Sequence, residues 1–165
     1  MDIYDDGFLE FWKVMNENHV EYIMAGGFAV NMHGHTRATK DADIWIKNTV
    51  ENRKKLRKAF RDLDFGDFES IETMQLLPGW TQFSLSNGVI LDVMTEMKGI
   101  ENISFDECLK MASFADLDGI RVPFLHINHL LANKKAVSRS KDKNDIIELE
   151  KIKQQRLQLG LDSPE

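Results

Sequence analysis

The chain has one cysteine, Cys108, in 165 residues. That excludes an intramolecular disulfide framework and a cysteine-built zinc site, and it suits a reducing cytoplasm. An excess of positive charge is also missing: 21 Lys and Arg stand against 27 Asp and Glu, for a net charge of −6. Binding nucleic acid through bulk surface charge is thereby excluded, and any such contact must be a local patch. No apolar run approaches the roughly 20 residues needed to cross a bilayer. The opening Met-Asp-Ile-Tyr-Asp-Asp has no basic segment followed by an apolar one, so no secretory leader is expected. Repeats of fixed period and low-complexity tracts are absent as well. What is there is ordinary for a globular protein, with 42% hydrophobic and 29% charged residues, enough for one compact domain with a modest core.

Periodicity divides the chain into alternating helices and strands. Phe8, Phe11, Trp12 and Met15 form the apolar stripe of a helix expected from Asp6 to Asn18. Tyr22 to Ala25 reads as a short strand ending at Gly26-Gly27, followed by a short helix from Phe28 to His33 that Gly34 stops. Asp41 to Ile46 reads as a strand, and Thr49 as the cap of a charged helix from Val50 to Leu63. Trp80–Ser86 and Val89–Met94 form a hairpin around Asn87-Gly88, which favours a type I′ turn. Ser104 to Glu107 has the spacing of a capping box, and Asp118-Gly119 marks another tight turn. From His126 the chain reads as helical, and Gly160 to Glu165 as frayed.

Chemistry concentrates between Gly26 and Asp43. Two glycines between a strand and a helix let the backbone approach a triphosphate, whose oxygens meet unpaired N–H groups; a plain tight turn is the alternative. Asp41 and Asp43 are two apart, so on a strand both carboxylates project from one face. Their repulsion is relieved by a hard cation such as magnesium, unless the pair is only a solvated strand start. Asp92 lies within Val-Ile-Leu-Asp-Val-Met, where an ionised carboxylate is costly without a partner. A metal ligand or a base fits that position, as does a buried Asp bonded to an Arg or a backbone amide. Arg37 and Lys134 can neutralise phosphates, Arg37 as a bidentate donor and Lys134 as a point charge, or they can form surface salt bridges. Asp142 and Asp145, three apart on a helix, can support Lys134 or Arg139, or can be solvated.

The histidines carry less. His33 and His35 flank Gly34 and need not converge, so no zinc site is expected there, and His126 and His129 lack the Glu of a hydrolytic His-Glu-x-x-His helix. Basic residues cluster at Arg53, Lys54, Lys55, Arg57, Lys58 and Arg61, and again from Lys134 to Lys143. Interspersed acids make both read as solvated helix faces before they read as an RNA track.

Gly-Gly-x-Ala-x-x-x-His-Gly from Gly26 to Gly34, then Arg37-x-Thr39-x-Asp41-x-Asp43, then Asp92 on a later strand, resembles the polymerase-β-type nucleotidyltransferase superfamily. The form is similar to its small prokaryotic branches, including AbiEii-like toxins. Leu130-Leu131-Ala-Asn-Lys134, Arg139 and Lys141-Asp142-Lys143-Asn-Asp145 resemble the helical segment that follows the catalytic lobe there. The resemblance implies an α/β (α+β) fold with a mixed sheet flanked by helices. It divides the chain into a catalytic lobe over residues 1–125, a helical segment over 126–160 and a frayed tail over 161–165. It implies Gly26, Gly27, Arg37, Thr39 and Lys134 at the nucleotide, Asp41, Asp43 and Asp92 as catalytic residues holding two magnesium ions, and Asp142 and Asp145 behind them. Asp92 would also help deprotonate the acceptor hydroxyl. Where many members have Ser after the first glycine, this chain has Gly27, so backbone amides must make that phosphate contact.

The implied reaction moves a nucleoside monophosphate from an NTP, ATP by default, to an acceptor hydroxyl and releases pyrophosphate. Likeness to toxin branches points to RNA or protein as acceptor, with an antitoxin or toxin as partner. Likeness to enzymes that adenylylate antibiotics points to a small molecule, with Glu69, Glu72 and Glu96 as an acidic wall. A non-catalytic module that binds a nucleotide or a partner is the remaining reading.

Overall fold

The computed structural model describes residues 3–73, 80–86 and 88–162. Thirteen elements follow one another: α1 (Asp6–Glu17), β1 (Tyr22–Ala25), α2 (Gly26–Met32), β2 (Asp41–Ile46), α3 (Val50–Asp62), α4 (Ser70–Thr73), β3 (Thr81–Ser84), β4 (Ile90–Met94), α5 (Phe105–Met111), β5 (Ser113–Leu117), β6 (Ile120–Phe124), α6 (Ile127–Val137) and α7 (Asp142–Gln158). The strands form one mixed sheet in the order β3-β4-β2-β1-β6-β5. The α/β architecture with a mixed sheet and flanking helices is the one expected.

Local chemistry accounts for most of the elements. Asp5 caps α1 through Gly7 N–H, Thr49 caps α3 through Asn52 N–H, and Ser104 and Glu107 close a reciprocal capping box on α5. Asp118 and Gly119 both take positive φ between the paired residues Leu117 and Ile120, the geometry of a two-residue type I′ hairpin. The β3–β4 hairpin forms where expected, but by a different turn. Leu85 N–H donates to Val89 O and Gly88 N–H to Leu85 O, with Gly88 at φ +82°, so three residues rather than two connect the strands; Asn87 itself lies outside the described residues. No pattern announced the single turn of α4.

Burial separates the two faces of the sheet. One packs against α1 and α3, with Trp12 stacked on Tyr22 and Phe60 edge-on to Phe83. These aromatic pairs join a core that also includes Ile44, Ile46, Leu91 and Val93, each worth roughly 1.5–3 kcal/mol when fully buried. Asn52 ties α3 to the sheet, donating to Glu21 O and Lys47 O and accepting from Glu21 N–H. The opposite face carries Trp45, which meets Phe105 of α5, and it carries the carboxylates. α6 and α7 fold back on each other through a turn in which Ser138, at φ +53°, donates its N–H to Lys134 O.

Candidate active site

Strand register brings the acidic residues together. Ala25 pairs with Asp43, Asp43 with Asp92, and Asp92 with Gln82, so one row crosses β1, β2, β4 and β3 with all four side chains on the same face. Gln82 Nε2 donates to Asp92 Oδ1 at 2.8 Å, which orients that carboxylate and leaves its other oxygen available. Asp92 is buried, at 8% exposure, and Asp43 is partly buried. Desolvation first, and then the charge of Asp92, push the Asp43 carboxyl up to about 6. Asp41 adds to that push from the same face, but it does not line the pocket that Asp43 and Asp92 share.

The glycines sit where the backbone must come close. The helix is not preceded by a separate glycine turn, as the sequence suggested; α2 starts at Gly26 itself, whose φ is +58°. A Cβ on residue 26 would lie 2.0 Å from Asp43 Oδ2, and one on residue 27 would lie 2.6 Å from Thr39 Oγ1. Both positions therefore need glycine, and the first needs it for backbone conformation as well. Thr39 donates its hydroxyl to Asp41 O at 3.3 Å, tying the loop that precedes β2 to its own strand.

Arg37 and Lys134 are held by acids rather than left open. Arg37 closes its guanidinium fork on Asp145, with Nε and Nη2 at 2.7 and 2.9 Å from the two carboxylate oxygens. Lys134 is 2% exposed and lies 2.8 Å from Asp142 and 2.9 Å from Asp145. Arg139 Nε donates to Asp142 at 2.8 Å. A continuous chain Arg37–Asp145–Lys134–Asp142–Arg139 thus clamps α6 and α7 to the loop before β2. Asp142 and Asp145 are fully buried, not solvated helix charges. Burial alone would raise Asp142, but hydrogen bonds from Arg139 and Lys134 bring it down to about 2.

A cavity of about 240 Å³ lies on this face, lined by the polar or charged Asp43, Asp92, Lys134 and Arg139, by Gly26, and by the apolar Trp80, Met94, Met97 and Val137. Its donor set consists of hard carboxylate oxygens from Asp43 and Asp92, neighbouring like charges that a cation between them would relieve, so the residues fit a divalent cation such as magnesium. Among the described residues, no three His, Cys, Asp or Glu side chains are gathered closely enough to hold a metal by themselves. Phosphate oxygens and water would have to complete the shell, as is usual for magnesium.

His33 and His126 make structural contacts. His33 Nε2 lies 2.7 Å from Leu125 O and its ring meets Phe124, while His126 Nδ1 accepts from Asn128 N–H. Glu72 pairs with Arg57, Glu96 belongs to a separate cavity beside Trp45 and Ile103, and neither they nor Glu69 line the carboxylate pocket. Gln82 and Trp80 escaped the sequence reading. The hairpin register, which places Gln82 opposite Asp92, was the available signal.

Comparison with known proteins agrees with this geometry. Residues 4–164 match the family described as "Nucleotidyl transferase of unknown function (DUF2204)". No curated protein matches the sequence. Among solved structures, the chain is similar to the lincosamide antibiotic adenylyltransferase LnuA in its lincomycin-bound form, with TM-score 0.63 and 15% identity over 90% of this chain and 97% of that one. It is similar to a putative nucleotidyltransferase from Thermotoga maritima, TM1012, with TM-score 0.54 and 15% identity over 92% and 89% of the two chains. It is also similar to the antibiotic-resistance factor ANT(2'')-Ia, with TM-score 0.52 and 15% identity over 88% and 80%.

Proposed function

The chain belongs to this nucleotidyl transferase family, within the polymerase-β-type superfamily, and from that premise we propose that it transfers a nucleoside monophosphate from an NTP, ATP by default, to a hydroxyl of a small-molecule acceptor. The observation that carries the proposal is the row Ala25–Asp43–Asp92–Gln82, with Gly26 packed against the Asp43 carboxylate. Backbone N–H groups at the start of α2 receive the β- and γ-phosphates, and the α-phosphate lies over Asp43 and Asp92. Asp43 and Asp92 would hold magnesium, with Asp41 adding negative charge from the same face and phosphate oxygens and water completing the shell. When bound, that cation supplies the positive charge that stabilises the entering and leaving oxygens of an in-line displacement.

The residues of the chain divide the remaining work. Asp92, fixed by Gln82, keeps an oxygen free to accept the proton of the attacking hydroxyl. Asp43, raised to about 6 by burial first, is largely ionised at neutral pH and would face the cation as a carboxylate. The clamp through Asp145 and Asp142 holds Lys134 and Arg139 against the pocket, where their charge opposes that of the phosphates. A small acceptor is favoured over RNA because the pocket is small and three of the six basic residues on α3 are paired with acids: Lys55 with Glu51, Arg57 with Asp67 and Glu72, and Lys58 with Asp62.

Isothermal titration with ATP, GTP, CTP and UTP, with and without magnesium, tests the reading. Magnesium-dependent binding that is lost in the Asp41→Ala, Asp43→Ala double variant is expected. Absence of NTP binding to the folded protein would overturn the enzyme reading in favour of a partner-binding module.

A further inference from the structure

The apolar part of the carboxylate pocket's lining has no role in the chemistry above, yet it includes an unusual side chain. Trp80 is 50% exposed, whereas Trp12 and Trp45 are 0% and 5% exposed. Half-exposing an indole leaves a large apolar face in water and stabilises nothing in the free protein. Thr81 pairs with Val93 and Gln82 with Asp92, so one step along the ladder Trp80 falls beside Met94, on the same face as Asp92. Met97 and Val137 complete the wall. Across the sheet, the order is Gly26 on the β1 side, then Asp43, then Asp92, then the edge strand that Trp80 precedes.

In an in-line displacement, the leaving pyrophosphate and the entering oxygen lie on opposite sides of the α-phosphorus. If pyrophosphate leaves toward Gly26, the acceptor enters from the side of Asp92 and Trp80. We propose that Trp80, with Met94 and Met97, is the acceptor-recognition wall, and that the acceptor is a hydroxylated saturated ring of the sugar type, laid with its C–H face on the indole so that one ring hydroxyl reaches the free oxygen of Asp92. Such a ring has both features the pocket demands, an apolar face and an edge of hydroxyls. A cavity of about 240 Å³ has room for a single ring beside the reacting phosphate. The hydroxyl oxygen bonds to the α-phosphorus as the bond to the pyrophosphate oxygen breaks, and the hydroxyl proton passes to Asp92. The inference rests on the nucleotidyl-transfer reading of the same pocket.

Acrylamide quenching of tryptophan emission isolates Trp80, because the other two indoles are buried. Magnesium with a non-hydrolysable ATP analogue should leave Trp80 accessible. Methyl hexopyranosides and their amino-substituted analogues, added next, should shield it, while the linear polyol sorbitol should not. Trp80→Ala should weaken pyranoside binding, followed by calorimetry, roughly tenfold while leaving the nucleotide affinity within about twofold, and Trp80→Phe should retain most of it. Shielding by the nucleotide alone would make Trp80 a base-stacking residue and overturn the proposal. So would equal shielding by sorbitol, or none by any pyranoside while calorimetry shows the nucleotide bound. If calorimetry shows no nucleotide binding, the transferase reading itself fails, and this inference with it.

Discussion

The backbone of Gly26 passes so close to Asp43 that a methyl group on it would lie 2.0 Å from the Asp43 carboxylate oxygen. Gly26→Ala therefore carries two penalties: a left-handed residue at φ +58°, about 1–2 kcal/mol, and displacement of the carboxylate that faces the pocket. The variant should fold with lowered stability in urea unfolding and lose magnesium-dependent nucleotide binding. Gly88→Ala, at φ +82° with nothing within 4 Å of the new Cβ, should show a comparable backbone cost with nucleotide binding intact.

Asp43 sets a pH dependence of stability. Its folded-state carboxyl is raised to about 6, by burial first and Asp92 second, above its unfolded value. The native state therefore holds the proton more tightly, and its contribution to stability is present below the unfolded value and lost as pH rises through about 6. Asp43→Asn should thus unfold at the same urea concentration as the parent near pH 4, and be stabilised relative to it by about 2 kcal/mol at pH 8. Asp142 runs the other way: its value is lowered to about 2, so its contribution is present above the unfolded value and lost as pH falls toward 2.

Lys134 is the single cation between two fully buried carboxylates. Lys134→Met keeps its packing volume and removes its charge, leaving Asp142 and Asp145 to Arg139 and Arg37 alone. Breaking a buried pair in this way costs about 3–5 kcal/mol, measurable by urea denaturation. Adding Asp142→Asn to Lys134→Met should deepen the loss, since Arg139 then loses the carboxylate that it pairs with.

Gln82 is exposed and adds little to the core, but it holds Asp92 at 2.8 Å. Gln82→Ala should change stability by less than about 1 kcal/mol and weaken magnesium–nucleotide binding roughly tenfold, as loss of an outer partner does at a metal ligand. Calorimetry and urea unfolding on the same preparation separate the two effects.

Local signals carried the sequence reading far. A polar-apolar alternation gave Asp41 and Asp43 one face of β2, Thr49 and Ser104 announced helix starts, and Asp118-Gly119 announced a hairpin. What stayed hidden was set by contacts distant in the chain. Arg37 and Asp145 are 108 residues apart, and nothing in either segment says that the guanidinium meets a carboxylate rather than a phosphate. The neighbouring of Asp43 and Asp92 depends on the parallel pairing of β2 with β4, which periodicity alone does not specify. Gly26 read as a turn glycine because the pattern cannot show that β1 passes directly into α2.

The central claim is that Asp43 and Asp92 together form a cation–nucleotide site, and electron paramagnetic resonance of manganese tests it most directly. At pH 8, manganese with a non-hydrolysable ATP analogue is titrated against the parent protein and the Asp43→Asn, Asp92→Asn double variant. The account predicts that the parent binds the complex and that the folded double variant binds it at least roughly a hundredfold more weakly. Equal affinity in the two proteins would contradict it.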